Sequence, residues 1–214
     1  MNQPDPAAAM GAPTAPVAGH ARLDDGALDQ LLRVARSHKA WLPEPVPDAL
    51  LREIFALAQA GPTSTNSQPM RVVWVRTPQG QARLRPALHA GNVPKMMSAP
   101  VTAIIGYDLA FHEHQGRLFP QRDTAAECRA DPVHAQVTAL RNSALQGAYL
   151  MLAARALGLD VGPMSGFHED MVDAEFFADT STRSNFLCNL GYGDTAALRG
   201  RLPRLAFDDV CACA

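Results

Sequence analysis

Four groups of polar residues have types and spacings suited to holding an anion or a flat heteroaromatic ring. Arg36, Ser37 and Lys39 close a helical pattern. Asn66 and Gln68 lie in a polar loop, Thr63 to Pro69, ahead of a β-rich run. Asn92 and Lys95 precede a second apolar run, and Arg201 and Arg204 come near the end of the chain. A phosphate ester is held by forked cations and hydroxyl donors. A ring with imide edges needs amide donors and acceptors around it. Taken singly, each of these residues is more often a solvated surface group. Their value depends on whether the fold brings them together.

Other motifs carry less. Gly191-Tyr192-Gly193-Asp194-Thr195-Ala196 fits G-x-G-x-x-A. A dinucleotide site also needs a full βαβ unit and an acidic residue about 20 positions on. Too little chain follows, and it contains Pro203, so a plain turn is expected. His112-Glu113-His114 would put two imidazoles on one face of a strand. No further ligand has a fixed spacing, so these read as polar residues of a surface excursion and no metal is expected. No Gly-x-Ser-x-Gly elbow occurs, which leaves a triad hydrolase unsupported. Cys211-Ala-Cys213 lacks a partner pair and reads as ordinary thiols.

The elements that must position these groups follow from periodicity. Residues 1–22 are Ala/Pro-rich, and a disordered tail is expected there. Asp24 or Asp25 caps a helix with Leu28, Leu31, Leu32 and Ala35 at helical spacing, predicted to run into Arg36–Lys39. Trp41 to Pro47 is an extended linker. A second helix puts Leu51, Ile54, Phe55 and Ala58 on one face and ends at Gly61-Pro62. Residues 71–76 read as a strand, 79–89 as a helix, and Val101 to Tyr107 as a central strand. Residues 108–135 are expected to form a partly helical lid. The strongest helix covers 136–157, with Leu145, Ala148, Tyr149, Leu152 and Ala156 along one stripe and Gly158 as its left-handed cap. Residues 161–166 form a short Gly/Pro-punctuated segment. A short helix at 169–177, a strand at 186–190 and an extended apolar tail complete the chain. The order is an α/β mixture of the α+β kind with three or four strands, in a single domain over 23–214.

Bulk properties narrow the class. The 214 residues are 47% hydrophobic and 19% charged, with a formal net charge of −2. That argues against a disordered chain and gives no electrostatic reason to expect nucleic acid. No apolar run reaches the ~20 residues of a membrane span, and the N-terminus does not resemble a secretory signal. The four cysteines lack a disulfide framework, so a reduced, cytoplasmic setting is expected.

Three stretches together resemble the nitroreductase superfamily of small FMN-dependent homodimeric reductases. They are Ala35-Arg36-Ser37-His38-Lys39-Ala40-Trp41 with Pro45-Val46-Pro47; Ala60 to Arg71, containing Asn66-Ser67-Gln68-Pro69; and Ala156 to Phe167, containing Gly158 and Pro163-Met164-Ser165-Gly166. Gly162–Phe167, Asn189–Asp194 and Arg201–Leu205 are similar to the RutE-type malonic semialdehyde reductase subgroup. The resemblance implies an intertwined homodimer, each subunit with a central mixed sheet flanked by helices, and FMN at the interface.

It also implies roles. Arg36, Ser37 and His38 or Lys39 would hold the FMN phosphate and ribityl chain, with Arg204 and Arg201 closing over the phosphate. The family's first Arg falls on Ala35 and its Trp on Met70. Ser64, Thr65, Asn66 and Gln68 would reach the flavin from the other subunit. Asn92 and Lys95 would contact the pyrimidine edge, with Lys95 as the catalytic cation stabilising negative charge there. Pro163, Met164, Ser165 and Gly166 would lie along the ring near N5. The implied activity is ping-pong transfer of hydride from NADH or NADPH, through FMN, to malonic semialdehyde, giving 3-hydroxypropanoate. Arg117, Arg122 and Arg141 are candidate clamps for the substrate carboxylate. The alternatives are a broad nitroaromatic or quinone reductase and a flavin-binding protein without turnover.

Overall fold

Four apolar segments pair into one sheet. The computed structural model describes residues 21–214, so the expectation for the N-terminal tail falls almost entirely outside the described residues. Strands β1 (Met70–Val75), β2 (Val101–Asp108), β3 (Asp160–Met164) and β4 (Thr182–Gly191) run in the order β1-β2-β4-β3. All three pairings are antiparallel. A single parallel bridge from Ser37 to Val161 adds the N-terminal segment at the β3 edge and makes the sheet mixed. β2 is buried at every position, as its continuous apolar run predicts. The segment 161–166, read only as Gly/Pro-punctuated, is an edge strand as far as Met164. Pro163 is tolerated there because an edge leaves one row of backbone groups outside the ladder.

The first helix ends early. Asp24 Oδ1 accepts the Ala27 N–H at 2.7 Å and caps α1 (Asp25–Leu28), as expected. The chain continues as a π-turn, Asp29–Arg33, and stops. The predicted extension through Arg36–Lys39 is replaced by sheet pairing, with the His38 N–H donating to the Val161 carbonyl at 3.0 Å. α2 (Asp48–Ala58) buries Leu51, Ile54 and Ala58. Phe55, expected on that face, is 38% exposed because the buried i, i+3, i+7 stripe leaves it at the edge. α3 (Pro78–Leu84) and a 3₁₀ turn, Arg85–Ala87, fill most of the predicted 79–89 helix, which stops early because Leu88 is extended and bridges to Phe167. α4 (Val93–Met97) leads into β2. Residues 108–135 are partly helical, as a 3₁₀ turn, Phe111–His114, with α5 (Gln115–Leu118) and α6 (Thr124–Ala130).

α7 (Pro132–Ala156) is the long helix, but its predicted stripe faces the wrong way. Its buried face is Ala139, Asn142, Ser143, Gln146, Gly147, Leu150, Ala153 and Ala154. Leu145 and Tyr149 are 46% and 39% exposed, and Val133, Val137 and Leu140 are exposed too. Two contacts explain the inversion. A Cβ on Gly147 would stand 2.5 Å from the Phe186 ring, so only glycine lets that ring in. Asn142 and Gln146 are needed inside for hydrogen bonds described below. Gly158 ends α7 at φ +84°, where a side chain is disfavoured, as expected.

α2 and α7 cover one face of the sheet, where Ile54, Leu150 and Ala154 pack on Ala103, Ile105 and Leu190. On the other face Leu84, Met96 and Phe167 join Val172 of α8 (Glu169–Phe176) against Ile104 and Leu187. The split between Ala103/Ile105 and Ile104 is the period-two alternation of a strand buried on both sides. After residue 198 the chain runs over the surface to α9 (Phe207–Val210), with Leu202, Leu205, Phe207 and Val210 exposed. Among the described residues no helix is long and apolar enough to cross a membrane.

Candidate active site

Positive charge collects where the N-terminal segment meets the C-terminal one. A cavity of about 550 Å³ is lined by Arg36, Ser37, Lys39, Arg155, Arg199, Arg201 and Arg204, with Asp194 as its carboxylate. The guanidinium groups also stitch the two segments together. Arg36 donates to the Arg199 carbonyl at 2.6 Å, and Arg201 to the Arg33 and Ala35 carbonyls at 2.7 and 3.1 Å. Arg204 donates to the Leu202 and Pro203 carbonyls. Each guanidinium has five donors, so these contacts leave N–H groups for a ligand. Six cations against one carboxylate give this cavity a strongly positive field.

Lys95 extends the positive field. Its ammonium donates to Asn92 Oδ1 at 2.7 Å, while Asn92 Nδ2 donates to the Gly166 carbonyl at 2.9 Å. Asn189 Nδ2 donates to the Lys95 carbonyl at 3.1 Å, and Thr102 donates to Asn189 Oδ1 at 2.7 Å. Lys95 is therefore tied to β2 and β4 through its backbone and to the 163–166 segment through Asn92. Burial, and then repulsion from the Lys39 ammonium, lower the pKa of Lys95. An anion placed between the two lysines would relieve that repulsion. At Gly166 a Cβ would stand 2.7 Å from Asn92 Nδ2 and 3.2 Å from His89 Nδ1, so the close backbone approach requires glycine.

Pro163, Met164 and Ser165 face a second cavity of about 310 Å³ with Ala144, Met151 and Phe186. Its lining is mainly apolar and contains no cation. Arg141 precedes Ala144 by three residues and so lies on the same side of α7. Of the other candidate carboxylate clamps, Arg122 is paired with Glu127.

The Ser64–Gln68 loop lies elsewhere. β1 begins at Met70, opposite Tyr107 and Arg183, at the end of the sheet away from Val101 and Gly191. The eight residues of β2 put roughly 20 Å between the two ends. Within one chain, Ser64, Thr65, Asn66 and Gln68 therefore do not join the lysines and arginines. Thr65, Asn66 and Gln68 all have positive φ, between 42° and 51°. Left-handed backbone at three non-glycine residues is strain that persists only when neighbours impose it. Those neighbours are on α7: Asn142 Oδ1 accepts the Ser64 N–H at 2.8 Å, and Gln146 Oε1 accepts the Met70 N–H at 2.9 Å. Asn66 donates to the Leu118 carbonyl, and Gln68 Nε2 to Asn66 Oδ1.

His38 is the sequence candidate placed differently from its neighbours. It is 5% exposed, with Nε2 at 3.3 Å from Asp160 Oδ1, and it does not line the arginine cavity. Arg155, Arg199, Asn142 and Gln146 went unread in the sequence, and Asp194 was read only within a turn motif. Arg155, Arg199 and Asp194 carry only the signal of charge. Asn142 and Gln146 had a better one, because two amides four apart in an alanine-rich helix share a face.

The remaining motifs have plain explanations. His112 and His114 sit in a 3₁₀ turn rather than a strand, and no group of three potential metal ligands occurs among the described residues. In the glycine pair at the end of β4, Gly191 makes room for Pro100 and Gly193 for His38. Burial pushes the Cys188 thiol up to about 12, which leaves it inert.

Comparison with known proteins shows the family and the fold. Residues 32–192 match the nitroreductase family. A Burkholderia lata protein provisionally named an NADH dehydrogenase/NAD(P)H nitroreductase is 57% identical over 188 residues, covering 88% of this chain and 96% of that protein. A Stenotrophomonas maltophilia protein with the same provisional name is 56% identical, covering 87% and 95%. In fold, the chain is similar to an Exiguobacterium sibiricum nitroreductase solved in complex with FMN. The TM-score is 0.77 at 20% identity, covering 91% of this chain and 99% of that one. Most of the chain, including the Arg36–Lys39 segment, the strained loop, Lys95 and the 163–166 segment, falls inside the matched region, and the chain belongs to the nitroreductase family.

Proposed function

We propose that this FMN-dependent NAD(P)H oxidoreductase reduces malonic semialdehyde to 3-hydroxypropanoate, and that two copies of the chain complete each FMN site. The observation that carries the reading is the anion-poor pair Lys39 and Lys95. It stands beside an arginine-lined cavity and is linked through Asn92 to the glycine-permitted turn at Gly166. These residues fit FMN. Arg36, Ser37, Lys39, Arg201 and Arg204 would hold its phosphate. Asn92 supplies a polar side chain for the pyrimidine edge, and Lys95 keeps a positive charge beside it. The apolar cavity at Pro163–Ser165 would take the ring or the substrate above it and exclude water.

Bound FMN supplies hydride transfer between NAD(P)H and the electrophile. The chain supplies position and field. Arg141, three residues before the cavity-lining Ala144 on α7, would hold the carboxylate of a small acid substrate. Solvent would deliver the proton to the reduced carbonyl.

The dimer is supported by two features. The Ser64–Gln68 loop is remote from the cations of its own chain, and α7 turns Leu140, Leu145 and Tyr149 outward. Its free cysteines suit a cytoplasmic setting. A second reading, a broad nitroaromatic or quinone reductase, is favoured by the uncharged lining of the apolar cavity. Steady-state kcat/KM with malonic semialdehyde and with a nitroaromatic decides between them. A clear preference for the aldehyde acid is expected, and a preference for the nitroaromatic overturns it. Stopped-flow mixing with NADH tests turnover: flavin that stays yellow marks a binding protein without catalysis.

A further inference from the structure

We propose that His38 is a positioning residue that sets the affinity for the FMN phosphate by placing Ser37 and Lys39, without touching the cofactor; this rests on the FMN reading above. In an extended segment, successive side chains alternate sides. Ser37 and Lys39 line the arginine cavity, and His38 between them turns into the protein.

The imidazole is enclosed there. Its Nε2 lies 3.3 Å from Asp160 Oδ1, and the Trp41 ring centroid is 6.1 Å away. Gly193 supplies the floor, since any Cβ at that position would overlap His38 Nδ1. Asp160 holds both parts, because its Oδ2 accepts the Gly193 N–H at 3.0 Å. The backbone of the same segment is fixed on two sides. The His38 N–H donates to Val161, the Leu42 N–H to Tyr192, and the Asp194 N–H to the Ala40 carbonyl. A Cβ on Gly162 would overlap the His38 carbonyl. Three segments, the 37–42 stretch, β3 and the end of β4, thus meet around one ring.

His38 Nδ1 is buried without a hydrogen-bond partner. An unpaired buried polar atom is costly, so this nitrogen adds nothing to stability. The imidazole fills a shape fixed by two glycines and a carboxylate. Removing it frees the segment to shift by a fraction of an ångström, and displacement on that scale is enough to weaken a fixed constellation.

The test compares FMN with riboflavin, which lacks the phosphate, by titrating flavin-stripped full-length protein. In His38→Ala, FMN dissociation is expected to rise roughly 10- to 100-fold. Riboflavin binding should change by less than about 3-fold, within 1 kcal/mol. Gly193→Ala, which displaces the ring, should reproduce this pattern. Adding Lys39→Ala to His38→Ala should cost less than Lys39→Ala costs alone, because a misplaced lysine contributes less. His38→Asn keeps a flat polar side chain and serves if the alanine variant does not fold. Parallel weakening of both flavins, or unchanged FMN affinity, overturns the proposal. Wild-type protein that takes up neither flavin overturns the FMN reading itself.

Discussion

At the end of the sheet where β2 begins and β4 finishes, glycines let backbone segments approach closely and cations gather beside them. At the opposite end, where β1 begins, a loop with three left-handed residues is held in place by two amides of α7. The first region is shaped by its own chain and needs only an anion to balance its charge. The second stores strain, which two side chains of its own chain hold in place. Regions so different, roughly 20 Å apart, can serve one site if the second acts on another copy of the first.

That contrast can be broken at several points. The largest effect is expected from Leu140→Glu with Leu145→Glu, which charges the outward face of α7. Sedimentation should show a monomer, and bound flavin should be lost with it. A variant that remains dimeric and yellow would mean that another surface joins the copies. Next is Lys95→Met, which removes the cation from the glycine-built end. A fall of roughly 10²- to 10³-fold in kcat/KM is expected, with FMN still bound through the arginine cavity. Unchanged turnover would remove Lys95 from the electrostatic role.

Gln146→Leu sharpens the other side. It leaves the buried Met70 N–H unpaired, at a cost of about 1–3 kcal/mol. Thermal unfolding should fall by roughly 2–4 °C per kcal/mol for a chain of this size. If the loop serves the partner's site, flavin affinity should fall as well, although Gln146 lines neither cavity.

The smallest effect concerns acid. Asp108 stands beside the loop, pairs with Arg71, and accepts from Ser181 Oγ at 2.5 Å and from the Ala110 N–H at 2.8 Å. Burial works to raise its carboxyl pKa, but Ser181, Ala110 and Arg71 outweigh it and hold it below the usual 3.8. The folded value lies under the unfolded one. Its contribution is therefore complete above pH 3.8 and is lost as pH falls through the folded value. Denaturant titrations across that range should show a decline that Asp108→Asn reduces.

Much of this was readable beforehand where one local rule acted alone. The Asp24 cap, the buried strand Val101–Tyr107 and the Gly158 stop each depend on a few adjacent residues. So did the polar loop at Thr63–Pro69. The Arg36–Lys39 helix failed because Val161, more than a hundred residues away, offers Ser37 and His38 a sheet edge. The stripe on α7 failed for a related reason. Its leucines and tyrosine form a reasonable helical face, but Phe186 claims the side bearing Gly147, and the loop's N–H groups claim Asn142 and Gln146.

Residue types and short spacings were enough to establish an α+β domain, a cation set suited to an anionic cofactor, and the family resemblance. Left to long-range packing were the side that each residue faces and the company it keeps. Alternation along an extended segment sends Ser37 and Lys39 toward the arginines and His38 under Gly193. Strand length alone separates Lys95 from Asn66. Those outcomes depend on hydrogen bonds and close contacts between segments far apart in the chain, which no local pattern encodes.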